Sequence, residues 1–202
     1  MRVLLAGEGP TELGDWHRER AWRPSPCAPG VVEALARGVG DGDWVIADAV
    51  SWKSIRKYRP GGHRHAEARN VLGVVLMARE RGMDAVLFVR DRDGLPERGA
   101  DVETGMRAAA GNRDFRGVAI VGGIAVEAIE AWLLAWLGEP RTEEATNPKA
   151  ELARRGYGSC EAKVSLVREH DAAGIPEDAQ SLRTWLDRVR RVFGPAAEPV
   201  SG

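Results

Sequence analysis

The stretch LLAGEGPTE, residues 4–12, joins an apolar run to a turn that is rich in glycine and carries two carboxylates. Residues 3–6 have the length and composition of a buried strand. The run ends at Gly7, and Glu8 and Glu12 follow it. This pattern predicts a strand whose carboxyl end delivers acidic side chains into a turn.

Three further apolar runs, at residues 44–50, 85–89 and 118–121, predict the other strands of the sheet. The segments 31–37, 66–81 and 102–110 between them have apolar residues at helical spacing. Strands that alternate with helices indicate a mainly parallel sheet with both faces covered. The fold class is therefore predicted as α/β, with a four-stranded sheet flanked by helices.

The pattern changes after residue 121. GGIAVEAIEAWLLAWLG, residues 122–138, is typical of a loop followed by a strongly apolar helix. From there on only helices are indicated, at 149–155, 161–170 and 179–193. We therefore predict an α/β core at 1–140, a helical C-terminal extension packed on it at 141–194, and a disordered tail at 195–202.

The composition indicates which cellular compartment and which kinds of partner to expect. The 202 residues carry 29 basic and 30 acidic side chains, so no global charge favours nucleic acid or a membrane surface. Cys27 and Cys160 are the only cysteines, which favours a reducing compartment. No apolar segment approaches about 18 residues and no secretory leader is evident. We expect a cytoplasmic protein without a membrane partner.

Acidic residues follow two of the predicted strands. Glu8 comes after the first, and Asp91 and Asp93 come after the third, in FVRDRDG at 88–94. Ligands of parallel α/β sheets bind beyond the carboxyl ends of the strands. Asp91 and Asp93 alternate along an extended segment, so they are expected to point the same way. Carboxylates that converge without basic partners predict a Mg²⁺ or Mn²⁺ site, the alternative being ordinary turns and helix caps.

The order of these motifs resembles the Toprim fold. GEGPTE follows a first strand, RDRDG follows a later one, and VEAIEAWLLA lies at 126–135. NPKAEL at 147–152 and SLRTW at 181–185 extend the resemblance to small stand-alone Toprim-like proteins of the RloB kind and to overcoming-lysogenization-defect nucleases. The resemblance covers residues 1–193. Ala6 and Gly7 depart from it, since valine or isoleucine is commoner before the glutamate.

The resemblance implies a role for each matching residue. Glu8 would be a metal ligand or general acid/base, Glu12 would help to hold a second ion, and Asp91 and Asp93 would bind Mg²⁺. Further candidates are two acids three residues apart, which are expected on one helical face, and two lysines that would neutralise transition-state charge. These candidates are Glu127, Glu130, Lys149 and Lys163; the alternative is a solvated helix start for the two acids and helix-surface positions for the two lysines.

The function implied is that of a nuclease that hydrolyses phosphodiester bonds of DNA or RNA with two divalent ions. Such proteins resemble effectors of anti-phage or mobile-element systems whose partner is a separately encoded ATPase. A homodimer is compatible with the sequence. The alternative is a catalytically silent Toprim module that binds nucleic acid or that ATPase.

A basic segment follows the second strand. SWKSIRKYRPGGHRH, residues 51–65, also carries Trp52 and Tyr58. Basic side chains bind phosphates and aromatic rings stack on exposed bases. The segment predicts a nucleic-acid contact, the alternative being an exposed basic loop, and its candidate residues are Lys53, Arg56, Lys57, Arg59 and Arg64.

Overall fold

The four apolar runs form one parallel sheet in the computed structural model, which describes residues 1–58 and 65–195. The strand order is β2-β1-β3-β5, so the first and third runs are neighbours, and Leu5 lies between Ala49 and Leu87 in register. The predicted α/β class with a mainly parallel four-stranded sheet is confirmed. The strands are β1 Arg2–Gly7, β2 Val45–Ser51, β3 Ala85–Phe88, β4 Arg90–Asp91, β5 Ala119–Val121 and β6 Ile124–Ala125.

The third run differs from its prediction because it is divided at Val89 into β3 and β4. β4 pairs with β6 in a separate two-stranded parallel ladder. The Arg90 N–H donates to the Gly123 carbonyl at 3.0 Å, so the chain changes partner just beyond the main sheet. Asp91 lies in this small ladder, beyond the edge of the main sheet at which β1 ends.

Helices cover both faces of the sheet. The α-helices are α1 Pro10–Leu13, α2 Val31–Arg37, α3 Ala66–Glu80, α4 Glu97–Gly111, α5 Ile129–Trp136, α6 Pro148–Arg154, α7 Cys160–Glu169 and α8 Gln180–Phe193. Short 3₁₀ helices lie at Gly14–His17, Arg20–Trp22, Trp52–Ser54, Arg113–Phe115, Thr142–Glu144 and Ala172–Gly174. The helix predicted at 102–110 begins earlier, at Glu97.

Alternation along the strands divides the interior into two hydrophobic clusters. Leu5 and Leu87 face the cluster that includes α2, α5, α7 and α8. Leu4 and Val86 face the cluster built by α3 and α4. Both faces of the sheet are therefore buried, as the continuous apolar runs indicated.

The C-terminal helices pack directly on the sheet. α8 contacts β5 and β6, and the Trp185 indole N–H donates to the Phe88 carbonyl at 3.1 Å. Trp132 packs beside Trp185, with ring centroids 5.4 Å apart. Of the predicted tail, residues 196–202 lie outside the described residues. Among the helices of the described ranges, none is both long enough and apolar enough to cross a membrane.

Candidate functional site

The turn after β1 holds Glu12 against the end of the strand. A Cβ at Gly7 would lie 2.8 Å from the Glu12 Cβ, and one at Gly30 would lie 2.2 Å from the Glu12 carbonyl oxygen. Only glycine at both positions lets α1 pack this closely between β1 and α2. The Gly9 N–H then donates to Glu12 Oε2 at 2.7 Å, which fixes the direction of the side chain.

Asp91 and Glu130 meet at the beginning of α5. The Ile129 N–H donates to Asp91 Oδ1 at 2.9 Å, so the carboxylate lies at the positive end of the helix. Glu130 is 6% exposed and accepts a hydrogen bond from Lys163 Nζ at 2.7 Å. Lys163 comes from α7 and is itself buried. Glu12 and Asp91 are half-buried beside these two buried side chains, and we call Glu12, Asp91, Glu130 and Lys163 the buried carboxylate cluster.

The cluster holds three carboxylates and one lysine, and the pKa values of Asp91 and Glu12 reflect that imbalance. Burial first, and then the charges of Glu12, Glu130 and Asp93, raises the pKa of Asp91 to about 7. Burial is also the largest cause that raises the pKa of Glu12; Glu130 raises it further, while Lys163 opposes the shift. With every group ionised, three negative charges and one positive charge leave an excess of two negative charges.

A second set of acids at the same edge is matched by arginines. Glu67 Oε1 accepts from Arg90 at 3.3 Å (Nε) and 3.2 Å (Nη2), and lies 3.4 Å from Arg98 Nε. Glu8 pairs with Arg90, and Asp93 Oδ2 lies 2.6 Å from Arg98 Nη1. We call these five residues, Glu8, Glu67, Arg90, Asp93 and Arg98, the arginine network.

Arg90 is the centre of the arginine network and is nearly buried. Burial, and secondarily the charge of Arg98, lowers its pKa, while Asp93 and Asp91 oppose the shift. Its guanidinium carbon lies 5.9 Å from the centroid of the Trp52 ring. Trp52 is 5% exposed and donates through Nε1 to Glu67 Oε2 at 2.9 Å. Trp52 therefore supports the network, and the expectation that its ring stacks on nucleic-acid bases is wrong.

Three geometric expectations about the acids are also wrong. Asp91 and Asp93 do not point the same way, because Asp93 has φ 50° in a turn and its side chain lies on Arg98. Glu127 and Glu130 do not share a helical face, because Glu127 precedes α5, has φ 66° and pairs with Arg92. Glu8 and Asp93 are also not without basic partners, since Glu8 pairs with Arg90 and Asp93 with Arg98.

The other predicted residues lie away from these two groups. Lys149 is exposed on α6, and within the described part of the chain its side chain forms no ion pair or hydrogen bond with the acids. Tyr58 packs edge-on against Phe115 at 5.5 Å. Lys53, Arg56 and Lys57 are exposed beyond β2, as a phosphate-binding segment requires, whereas Arg59 and Arg64 lie outside the described residues.

The basic members of the arginine network were not among the predicted site residues, and neither was Glu67. A signal for Arg90 was present in the sequence, since RDRD at 90–93 places this arginine directly before the two aspartates. Glu67 gave no comparable signal, because an acid in the first turn of a long helix is ordinary. Arg98 gave none, because the helix that carries it was predicted to begin only at residue 102.

The donor chemistry of the buried carboxylate cluster suits a hard divalent cation, since all its free ligands are carboxylate oxygens. Within residues 1–58 and 65–195, however, no three His, Cys, Asp or Glu side chains are already placed so that they could hold one metal ion. A cation bound at Asp91 would therefore require the neighbouring side chains to change rotamer.

Comparison of the chain with protein-family models, with curated proteins and with solved structures found no match. The resemblance to Toprim proteins therefore stays a prediction from the motifs.

Proposed function

We propose that the protein is a divalent-metal-dependent nuclease of the Toprim type that hydrolyses phosphodiester bonds of DNA or RNA. One observation carries the proposal. Asp91 lies at a strand end, has its pKa raised to about 7 by burial and by neighbouring carboxylates, and has no ion-pair partner among the described residues. A divalent cation would neutralise the excess of two negative charges around it.

Asp91, Glu12 and Glu130 would hold the ion, with Glu8 and Asp93 near enough along the chain to join them. When bound, Mg²⁺ or Mn²⁺ would lower the pKa of a coordinated water and polarise the phosphate. Lys163 orients Glu130 through the 2.7 Å hydrogen bond. The Ile129 N–H holds one oxygen of Asp91, which leaves the other free to bind.

Support for a nucleic-acid substrate comes from the basic side chains of the same edge. Lys53, Arg56 and Lys57 are exposed just after β2, which is the neighbour of β1 in the sheet. A polyanionic strand that crosses this edge would pass from these side chains to the ends of β1 and β3. A separately encoded ATPase partner and a role in anti-phage defence remain predictions from the resemblance.

The test is cleavage of plasmid DNA, single-stranded DNA and total tRNA with Mg²⁺ or Mn²⁺. Asp91→Asn keeps the shape of the side chain and removes its charge. Asp187→Asn is the matched control, because Asp187 is 64% exposed on α8. We expect cleavage that needs the metal and falls at least about 100-fold in Asp91→Asn alone. Equal activity of the two variants would contradict the assignment of Asp91.

A catalytically silent binding module is the second candidate, and a specific observation favours it. Glu8, Asp93 and Glu127 are each paired with an arginine. If these pairs are permanent, too few carboxylates remain to hold two ions. Calorimetric titration with Mn²⁺ separates the candidates, since a silent module of this kind would bind no ion in either wild type or Asp91→Asn.

A further inference from the structure

Glu67 acts as an anchor for two arginines that come from different elements. Arg90 lies on β4 and Arg98 lies in the first turn of α4, and each side chain is 11% exposed. Both face the same oxygen of Glu67, at 3.2 Å and 3.4 Å. The other Glu67 oxygen accepts from Trp52 at 2.9 Å and from Asn70 at 3.4 Å. The anchor is therefore saturated and its arginines are preorganised.

The Nη1 atoms of these two arginines are directed away from the anchor and toward a common point. Asp93 Oδ2 lies 2.6 Å from Arg98 Nη1 and 3.8 Å from Arg90 Nη1, so one anionic oxygen is shared by both guanidinium groups. Glu8 also pairs with Arg90 Nη1. Two close guanidinium groups repel each other, and an anion between them is required to hold them together.

The carboxylates at this shared point differ from the anchor in exposure. Glu67 is 15% exposed at its side chain, whereas Glu8 is 33% and Asp93 is 52% exposed. Asp93 also has a left-handed backbone conformation, which is unfavourable for a non-glycine residue. Half-exposed ion pairs are weak because water competes for both partners. Glu8 and Asp93 can therefore leave the arginines at small cost, and Glu67 cannot.

We propose that Arg90 and Arg98 form a binding site for one phosphate group, which the carboxylates of Glu8 and Asp93 fill in the ligand-free protein. Planar guanidinium groups fixed in a fork are well suited to phosphate, which offers several anionic oxygens at once. The identification of this phosphate as part of a nucleic-acid strand rests on the proposed function. A phosphate that displaces the two carboxylates would also release them toward Asp91.

The experiment measures binding without catalysis, in EDTA, so that no metal enters the result. The probes are a labelled single-stranded oligonucleotide, followed by fluorescence anisotropy, and inorganic phosphate, followed by the shift in Tm. Asp93→Asn removes a competing carboxylate and Arg98→Gln removes one arm of the site. Asp187→Asn and Arg154→Gln are the matched controls, since they make the same charge changes at exposed ion pairs elsewhere.

We expect Asp93→Asn to bind the oligonucleotide about three- to tenfold more tightly than Asp187→Asn, because a competing anion is gone. Arg98→Gln should bind about tenfold more weakly than Arg154→Gln, because a charge-assisted hydrogen bond is lost. The tighter binding expected of Asp93→Asn keeps the test decisive even if Arg98→Gln fails to fold. Damage to the fold would weaken the affinity for the oligonucleotide and not strengthen it.

The outcomes separate this inference from the proposed function. If the oligonucleotide binds and each variant equals its control, the phosphate site is overturned and the nuclease proposal stands. If no form binds the oligonucleotide but phosphate raises the Tm of wild type and Asp93→Asn more than that of Arg98→Gln, the site stands and its assignment to nucleic acid fails. Failure of both probes with every form overturns the phosphate site, whereas the nuclease proposal is decided by the cleavage test with metal.

Discussion

The buried carboxylate cluster and the arginine network lie at the same edge of one sheet and are built from the same acidic residue types, yet their charges are balanced differently. In the arginine network, three carboxylates meet two arginines, and the most buried acid, Glu67, contacts both. In the carboxylate cluster, three acids share Lys163, which contacts only Glu130. The network is thus largely complete within the protein, whereas the cluster lacks positive charge.

Because of this difference, the two groups should affect the free energy of unfolding differently. Buried charges that are paired and hydrogen-bonded contribute little net free energy, but removing one partner is costly. Buried like charges without a partner lower the free energy of unfolding in the absence of a ligand. Removing an acid should therefore have opposite effects in the two groups.

The largest effect is expected from Glu67→Gln in the arginine network. Loss of this charge leaves Arg90 and Arg98 close together and nearly buried without their anchor. We expect the free energy of unfolding to fall by about 3–5 kcal/mol. Urea denaturation monitored by circular dichroism measures it. Glu151→Gln, which removes an exposed pair with Arg155, is the control and should change it by less than about 1 kcal/mol.

Asp91→Asn in the buried carboxylate cluster is expected to raise the free energy of unfolding. Asn removes a charge that burial and three neighbouring acids disfavour, so the metal-free protein at pH 8 should gain about 2 kcal/mol of stability. The same urea titration measures this gain. A variant less stable than wild type would show that the Asp91 charge is compensated in solution.

The pH dependence of that gain follows from the raised pKa. Below the ordinary value of 3.8 the Asp91 carboxyl is protonated in both folded and unfolded protein, so it costs no stability. Between pH 3.8 and about 7 the unfolded protein ionises this carboxyl and the folded protein does not, so stability falls with rising pH and levels off above about 7. The difference between wild type and Asp91→Asn should therefore be absent near pH 4 and complete by pH 8, as urea midpoints across this range would report.

Divalent cations should remove the lower stability of wild-type protein relative to Asp91→Asn. At a Mn²⁺ concentration of about 100 times Kd, wild-type protein should gain about 2.7 kcal/mol at pH 8, and Asp91→Asn should gain little. Thermal unfolding with Mn²⁺ or with EDTA measures the gain. An equal gain in both proteins would place the ion at another site.

The smallest effect on stability is expected in the exposed basic segment. Lys53→Gln and Lys57→Gln should change the free energy of unfolding by less than about 0.5 kcal/mol. Each should reduce the slope of oligonucleotide affinity against salt by about 1, because one phosphate contact is lost. Salt titrations in EDTA measure the slope, and an unchanged slope in both variants would mean that the segment is simply an exposed basic loop.

Much of the fold was predictable because it rests on local patterns. The apolar runs of β1 and β3 are long enough to be recognised as buried strands, and the glycine-rich turn after β1 was visible as such. The end of β3 at Phe88 was not predictable, since the apolar run continues through Val89 without a break in hydrophobicity. It arises from the hydrogen bond between Arg90 and Gly123, which lie 33 residues apart in the chain.

The candidate site likewise has a part that the sequence predicted and a part that it did not. Sequence alone determined that Glu8, Asp91 and Asp93 follow strands of a parallel sheet and so lie at one edge of it, because strand direction depends only on the alternation of strands and helices. Which acid meets an arginine and which stays unmatched was decided only by the tertiary structure. Glu67, Arg98, Glu130 and Lys163 come from four different helices, and the distances between their side chains depend on how those helices pack.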